Sequence, residues 1–251
     1  MPRYLTFALV APLASFGAIA VGERRSGWDR PARSAVLGLV GACLGLDRAD
    51  DDAQAALADQ YGLALLCHAP GRLLADYHTT QVPSAKRGRR FATRTAELAV
   101  PDLNTVLSRR DYRTGAWHLG AIWLRREGAR WSLDALAAAM KQPVFVPYLG
   151  RKSCPLGLPL APRVAEADDA PAALLARHDD GPEARLADQR GWRFRNAIAG
   201  AGGDIVVTLD AADAADDKRQ LRIEMRRDQP RSRRRWQFDL RAEAVLRITR
   251  Q

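Results

Sequence analysis

The sequence predicts an α+β protein: a ferredoxin-like βαββαβ domain over residues 1–150, then a smaller β-rich region over 151–251. Three observations carry this expectation. Apolar runs bounded by Gly and Pro alternate with helix signals through the first part of the chain. A long basic segment, about residues 79–110, interrupts that order as an insertion. Behind it, one helix signal is followed by several strand patterns in succession. With 251 residues, 47% of them hydrophobic, the chain can bury a core, which excludes wholesale disorder.

The first strand runs from Tyr4 to Val10, where Leu5, Phe7 and Leu9 alternate with Tyr4, Thr6 and Ala8 as in a strand with one buried face. The surrounding MPRYLTFALVAPLASFGAIAVGERR also has the early cation, apolar run and small residues of a secretory signal, so both readings stand at this point. Pro31 suits the first turn of a helix reaching about Leu44. Its apolar run is too short to span a bilayer. Gly38, Gly41 and Gly45 let another element approach this helix, from within the chain or from outside it. They lack the GxxxxGK[ST] spacing of a phosphate loop.

The acidic link DRADDDAQ leads to a short helix, Ala53 to Gln60. Tyr61 to Cys67 reads as a strand, turned by Pro70-Gly71 into a second one, Leu73 to Tyr77. Beyond the insertion comes a tryptophan-rich strand, Gly115 to Arg125. Ser132 caps a helix from Leu133 to Met140, with Asp134 in its first turn. In the second region a short helix follows Pro171. Strands are expected at Trp192 to Ile198, Asp204 to Leu209, Leu221 to Arg226 and Trp236 to Leu246.

The charge balance is 39 Lys+Arg against 29 Asp+Glu, a net +10, with a pI of about 10.2. That favours a polyanionic partner, nucleic acid or an anionic membrane surface. Nearly all the cations are Arg, which suits phosphate forks and base stacking; genomic base composition produces the same bias. Cys43, Cys67 and Cys154 are odd in number and far apart, so neither a disulfide framework nor a zinc site follows. A reducing cytoplasm fits, no metal or other cofactor is expected, and Cys43 reads as a core residue.

Four segments carry the candidate chemistry. In PYLGRKSCPLGLPL, Pro147, Pro155, Pro159, Gly150 and Gly157 stiffen the chain around Arg151, Lys152 and Ser153. This is either a basic surface connection or a preshaped anion site. The insertion holds Lys86, Arg87, Arg89, Arg90 and Arg94 with Phe91 among them, which is either a grip on single-stranded nucleic acid or a solvated loop. In DYHT, Asp76 and His78 share one face of an extended strand. His78 is there an acid or base, or only part of the hydrogen bonding at the root of the insertion. RDQPRSRRRWQFDLR is a second basic concentration, with Trp236 and Phe238 on one strand face, read as core behind a charged rim rather than as a stacking platform. His68, His118 and His178 lack ligand spacing and read as ordinary structure.

The motifs PARSAVLGLVGACLGLDR, ADYHT, SRRDY and VPYLGRKSCPLGLPL occur in this order, and RDQP precedes Phe238 and Arg241. In these the chain resembles the CasD family, the subunit of the type I-E CRISPR surveillance complex, Cascade, that holds the 5′ end of the guide RNA. The likeness runs from about Tyr4 to Pro162, with a weaker echo near the end. It implies an RRM-like fold of the repeat-associated RNA-binding (RAMP) type, in which Thr79 to Arg110 forms a thumb-like hairpin lying on RNA. It implies that the first strand stays in a cytoplasmic protein. The implied partners are the guide RNA 5′ handle, the backbone subunit and the large subunit, with target DNA met indirectly and no membrane.

The same resemblance implies no catalytic residue, since another subunit cuts the precursor. Relatives in another subtype do cut, which leaves an alternative: a metal-independent endoribonuclease using His78, Tyr77 and Lys152. On the guide-holding reading, RNA contact falls to Arg33, His78, Lys86, Arg87, Arg89, Arg90, Arg151, Lys152 and Ser153. The chain departs from the family after SRRDY, where it reads RTGAWHLGAIW, and in its basic Arg231 and Arg233 to Arg235.

Overall fold

A single strand of unusual length organises the molecule. In the computed structural model, which describes residues 1–18, 20, 22–85, 88, 90–183, 185 and 205–249, strand β5 runs from Leu103 to Leu124. Strand β1 (Arg3–Ala14) pairs antiparallel along one edge of it, from Leu5↔Ile122 to Ala14↔Arg113. Along the other edge lie β3 (Tyr61–Ala69) and then β4 (Arg72–Pro83), both antiparallel to β5. Strand β2 (Arg24–Arg25) adds a short parallel pairing at Arg109 and Arg110.

The remaining strands extend this sheet on both sides. β6 (Arg163–Glu166) joins the free edge of β1. β7 (Ile205–Asp210) joins β3, followed by β9 (Gln237–Ile248) and β8 (Gln220–Ser232). The order is β6-β1-β5-β3-β7-β9-β8. The expected strand from Trp192 to Ile198 lies outside the described residues.

The Pro70-Gly71 pair does not reverse the chain as expected. Ala69 faces Trp117 and Arg72 faces Thr114, so β3 and β4 run on in the same direction along β5. Gly71, at φ +76°, sits where a Cβ would come 2.8 Å from the Thr114 carbonyl oxygen, so it allows a jog rather than a hairpin. The reversal comes later: β4 and β5 form a ribbon from Arg72↔Thr114 to Pro83↔Leu103, about 35 Å long at the usual rise per residue. Its connection carries the short helix α3 (Arg94–Leu98).

Helices cover both faces of the sheet. On one face Leu5, Phe7 and Leu9 pack with α1 (Arg33–Leu44), α2 (Asp51–Asp59) and α4 (Leu133–Lys141) through Val36, Val40, Leu57, Leu136 and Met140. On the other, Tyr4, Ala8 and Val10 pack with α5 (Ala170–Asp180) through Ala173 and Leu174. β1 is therefore buried on both faces, not one as its alternation suggested: the odd and even residues are both apolar enough for a core. Ser132 caps α4 by accepting a hydrogen bond from the Ala135 amide. Cys43 is buried in the core, and all three cysteines are free. Among the described residues, no helix is long and apolar enough to cross a membrane.

A buried ionic layer ties β7, β8 and β9 to the start of α1. Arg241 donates to Asp228 (2.9 Å), Asp210 (2.7 Å) and Glu243 (2.8 Å). Arg30 reaches Glu243 and Glu224, and Arg226 lies over the Trp28 ring at 4.6 Å while pairing with Glu243. Arg33 belongs to this layer. Its guanidinium donates to the carbonyls of Ala58 (2.8 Å) and Tyr61 (2.7 Å), with Asp210 at 3.4 Å, and its amide donates to Asp228. At 2% exposure it has no surface to offer RNA, which corrects its place among the expected contacts. Burial opposes ionisation of Asp228, yet the bond to Arg241 and the charges of Arg241 and Arg226 outweigh this and hold its carboxyl below the usual range.

Replacing Arg33 by Ala leaves the Ala58 and Tyr61 carbonyls without their donor and takes one of three arginines from Asp210, and is expected to cost about 3–5 kcal/mol in a denaturant melt. A second expectation concerns His118, fully buried beside Phe16, whose imidazole burial lowers to about 4. The unfolded chain protonates it near its ordinary 6.5, so between pH 6.5 and 4 the unfolded state binds the extra proton. Stability then falls as pH drops through that window, by up to roughly 3 kcal/mol. His118→Phe is expected to flatten this part of a melting-temperature profile against pH.

Candidate nucleic-acid interface

The stiff segment after α4 is held to the body by its backbone. Ser15 donates its amide to the Leu149 carbonyl, Gly157 donates to Val10, and Ala8 donates to Leu160. Within the segment, Leu149 donates to Cys154 and Cys154 to Arg151, closing a tight turn. Leu149, Cys154 and Leu160 are buried, so the turn is anchored by apolar side chains as well. Gly150 has φ +94°, and a Cβ on it would stand 1.7 Å from the Ser15 carbonyl oxygen. Only glycine fits there. Arg151 and Lys152 are consequently presented from a fixed turn, with the Arg151 guanidinium 4.5 Å from the centre of the Tyr112 ring.

This turn forms one wall of a groove of about 830 Å³. α1 forms the floor through Ser34, Gly38 and Gly41; the loop before β2 and Arg25 form a second wall. The turn between β8 and β9 closes the far side with Arg233, Trp236 and Phe238, beside Arg48. Gly38 is where Arg233 comes up against α1. A Cβ there would lie 2.9 Å from Arg233 Nη1, and Arg233 donates to the Ser34 carbonyl. The helix glycines thus admit a neighbour from the same chain.

Charge separates this groove from the rest of the molecule. Its charged lining residues are all cations: Arg25, Arg48, Arg151, Lys152 and Arg233. None of them forms an ion pair with a carboxylate among the described residues, although most other buried arginines do. Burial, and then the nearby charge of Arg48, lower the Arg233 guanidinium to about 10. Aromatic rings are interleaved with the cations, at Phe145, Tyr148, Trp236 and Phe238. Unpaired cations with ring faces beside them match the needs of a single-stranded polyanion with stacking bases.

The structure brings some of the expected residues together and separates others. Arg151 and Lys152 line the groove; Ser153 is exposed on the same turn. Arg90 is exposed on the β4–β5 connection, while Lys86, Arg87 and Arg89 lie outside the described residues. His78 pairs with Asp76 on one face of β4, as their spacing predicted. Tyr77 points to the opposite face, so it and His78 cannot serve one bond together. His78 faces Ser108, about 10 Å along the ribbon from Asp111, next to which Arg151 sits.

Arg25 and Arg48 were not among the expected contacts, Arg233 was noted only as part of a basic run, and Trp236 was expected in the core. It is 60% exposed. The only local signal was the run RSRRRW, whose ring directly follows the cations. His68 and His178, far apart in sequence, meet at 2.8 Å. No cluster of three metal-ligating side chains occurs among the described residues.

Fold and groove together define a protein built around a broad, mainly antiparallel sheet with a projecting ribbon and a cationic cleft at its root. Residues 4–242 match the family described as CRISPR-associated protein (Cas_Cas5), and the chain belongs to that family. It is 32% identical over 183 residues to the Escherichia coli (strain K12) protein named CRISPR system Cascade subunit CasD, covering 70% of this chain and 77% of the relative. Two solved structures share the fold. One, described as a CRISPR RNA-guided surveillance complex, has a TM-score of 0.61 at 20% identity, covering 98% of this chain and 90% of its own. The other, described as a Cas protein, has a TM-score of 0.56 at 23% identity, covering 98% and 94%.

Gly150→Ala is expected to destabilise the protein by more than about 2 kcal/mol, because neither the backbone angle nor the Ser15 carbonyl can yield to a methyl group. Hydrogen exchange would show the Ser15 amide losing protection in the variant.

Proposed function

We propose that the chain is a non-catalytic subunit of a type I-E Cascade complex in antiviral defence, binding the 5′ handle of the guide RNA in the groove at the root of the ribbon and capping the filament of backbone subunits. The observation that carries this reading is the set of carboxylate-free cations around a groove with interleaved rings. The identity to a relative named as a Cascade subunit supports the assignment to that assembly. The order β6-β1-β5-β3, with α1 and α4 as crossovers on one face, supports reading the first part of the chain as a ferredoxin-like, RAMP-type βαββαβ unit. On this reading the ribbon is the thumb and Arg90 with its neighbours Lys86, Arg87 and Arg89 lies along the RNA. The backbone and large subunits are its protein partners, target DNA is met only through the guide, and the complex works in the cytoplasm.

Affinity comes mainly from phosphates, and specificity from unstacked bases read at their edges. His78, held by Asp76, is an RNA contact at the ribbon. The same pairing is the one observation favouring an endoribonuclease, in which His78 acts as a base and Tyr77 and Lys152 are the other candidates. The opposed directions of Tyr77 and His78 weigh against it.

Incubating the purified protein with its cognate repeat RNA, without metal, and resolving it on both native and denaturing gels distinguishes the two. A shift with intact RNA is expected. Combined Arg151→Ala and Lys152→Ala should weaken binding at least tenfold and make the salt dependence shallower by about 1.4 in log–log slope, for two lost phosphate contacts. Cleavage at one position that disappears in His78→Ala would replace this reading with the nuclease.

A further inference from the structure

Trp236 is at odds with its surroundings. It is a large apolar ring at 60% exposure on a turn between two strands. Its φ of +57° is a left-handed conformation that a bulky non-glycine residue seldom adopts. The turn is closed by its own amide, which donates to the Arg233 carbonyl at 3.3 Å. Phe238 supports it edge-on, with centroids 5.5 Å apart and planes at 85°. The Arg48 guanidinium lies 5.0 Å from the ring centre, and Arg233 sits 5.9 Å from the Phe238 ring. A ring needed only for the core would be turned inward. This one is held at the lip of the groove with Arg48 over its ring and Arg233 beside the neighbouring Phe238.

Arg233 gives a second, independent indication. Its Nε is buried with no hydrogen-bond partner. Arg33, Arg177 and Arg226 also keep a buried nitrogen without a hydrogen bond, but each has a carboxylate beside it, whereas no carboxylate among the described residues neutralises Arg233. Leaving a guanidinium partly buried and unpaired costs free energy that an incoming phosphate would recover. The smaller basic concavity nearby, lined by Arg231, Arg234 and Arg235, differs in this respect: Asp51 shares its lining and Asp239 pairs with Arg231. Its charge is already partly answered within the chain.

We propose that the β8–β9 turn is a nucleotide seat: one unstacked RNA base lies on the exposed part of the Trp236 ring, and Arg48 and Arg233 hold the phosphates that flank it. This rests on the groove being the RNA site and names which part of it receives a base. The stacking is indifferent to base identity, because every base offers a π-face, so the seat fixes register rather than sequence. The arginines contribute to affinity through charge, and the ring through stacking.

The test uses the full-length protein and an oligoribonucleotide carrying the 5′ end of its guide RNA, together with a set in which one position at a time is abasic. Trp236→Ala is expected to weaken binding of the intact RNA roughly 5- to 100-fold with an unchanged salt slope, while Trp236→Phe keeps most of the affinity. Arg48→Ala and Arg233→Ala should each make the slope shallower by about 0.7. One abasic position should bind wild type and Trp236→Ala equally, marking the seated nucleotide. If Trp236→Ala binds like wild type while the Arg151/Lys152 double variant is weakened, the seat is overturned and the groove reading stands. If neither variant changes affinity, both fall.

Discussion

The alignment of the C-terminal strands under helix α1 is set by a buried ionic layer, and the groove exists because of it. Arg30, Arg33, Arg226 and Arg241 interleave with Asp210, Glu224, Asp228 and Glu243 between the sheet and the start of the helix. Each charge would be prohibitive alone at this depth, and each is acceptable only with its partners in place. An apolar interface could slide by a residue and still bury its area. This one cannot, because Arg241, bidentate on Asp228 and also bonded to Asp210 and Glu243, can reach all three in one register only. The β8–β9 turn, carried at the end of two of these strands, is thereby delivered to Gly38 of α1.

The molecule therefore uses arginine in two opposite ways. In the ionic layer the guanidinium groups are matched by carboxylates and backbone carbonyls, so they specify structure and leave almost no field outside. Around the groove the cations have rings for neighbours and no acids, so their field reaches solvent. A surplus of positive charge read from composition points to a polyanion, but it does not say which arginines meet it. The distinction is made by pairing. Arg33 and Arg233 both touch α1, yet the first has Asp210 beside it and two carbonyls to donate to, while the second donates to the Ser34 carbonyl with no carboxylate partner among the described residues.

Much of the local structure was legible because its signals are local. Pro31 just before α1, Ser132 before α4, and the apolar runs of β1, β3 and β5 are short-range statements about backbone preference, and the structure has elements at each, although β1 is buried on both faces. The ribbon was legible as an interruption, by its charge. What the sequence concealed depends on residues distant along the chain. Pro70-Gly71 looks like a reversal until β5 proves long enough to pair with both flanking strands end to end. Arg33 looks like a surface cation until Asp210 and Asp228 arrive from the far end of the chain. Trp236 and Phe238 alternate as core residues do, yet the turn at Trp236 turns its ring outward. Gly38, Gly41 and Gly45 announced close approaches without naming the visitors, which are Arg233 at Gly38, Leu57 at Gly41 and Val144 at Gly45.

The prolines and glycines around Arg151 and Lys152 are explained by where flexibility would be most costly. A lysine and an arginine on a mobile loop lose rotamer and backbone freedom when they meet a phosphate, and that loss subtracts from affinity. Here the turn is already fixed by the Ser15–Leu149 and Gly157–Val10 bonds to β1 and by buried Leu149, Cys154 and Leu160. The Arg151 stem is held further by the Tyr112 ring beneath its guanidinium. Gly150 makes the arrangement possible, since any side chain there would push the turn off Ser15. Stiffness in this segment is thus the entropic counterpart of the unpaired charges beside it: the charges supply the attraction for an anion, and the anchored turn keeps that attraction from being spent on ordering the protein.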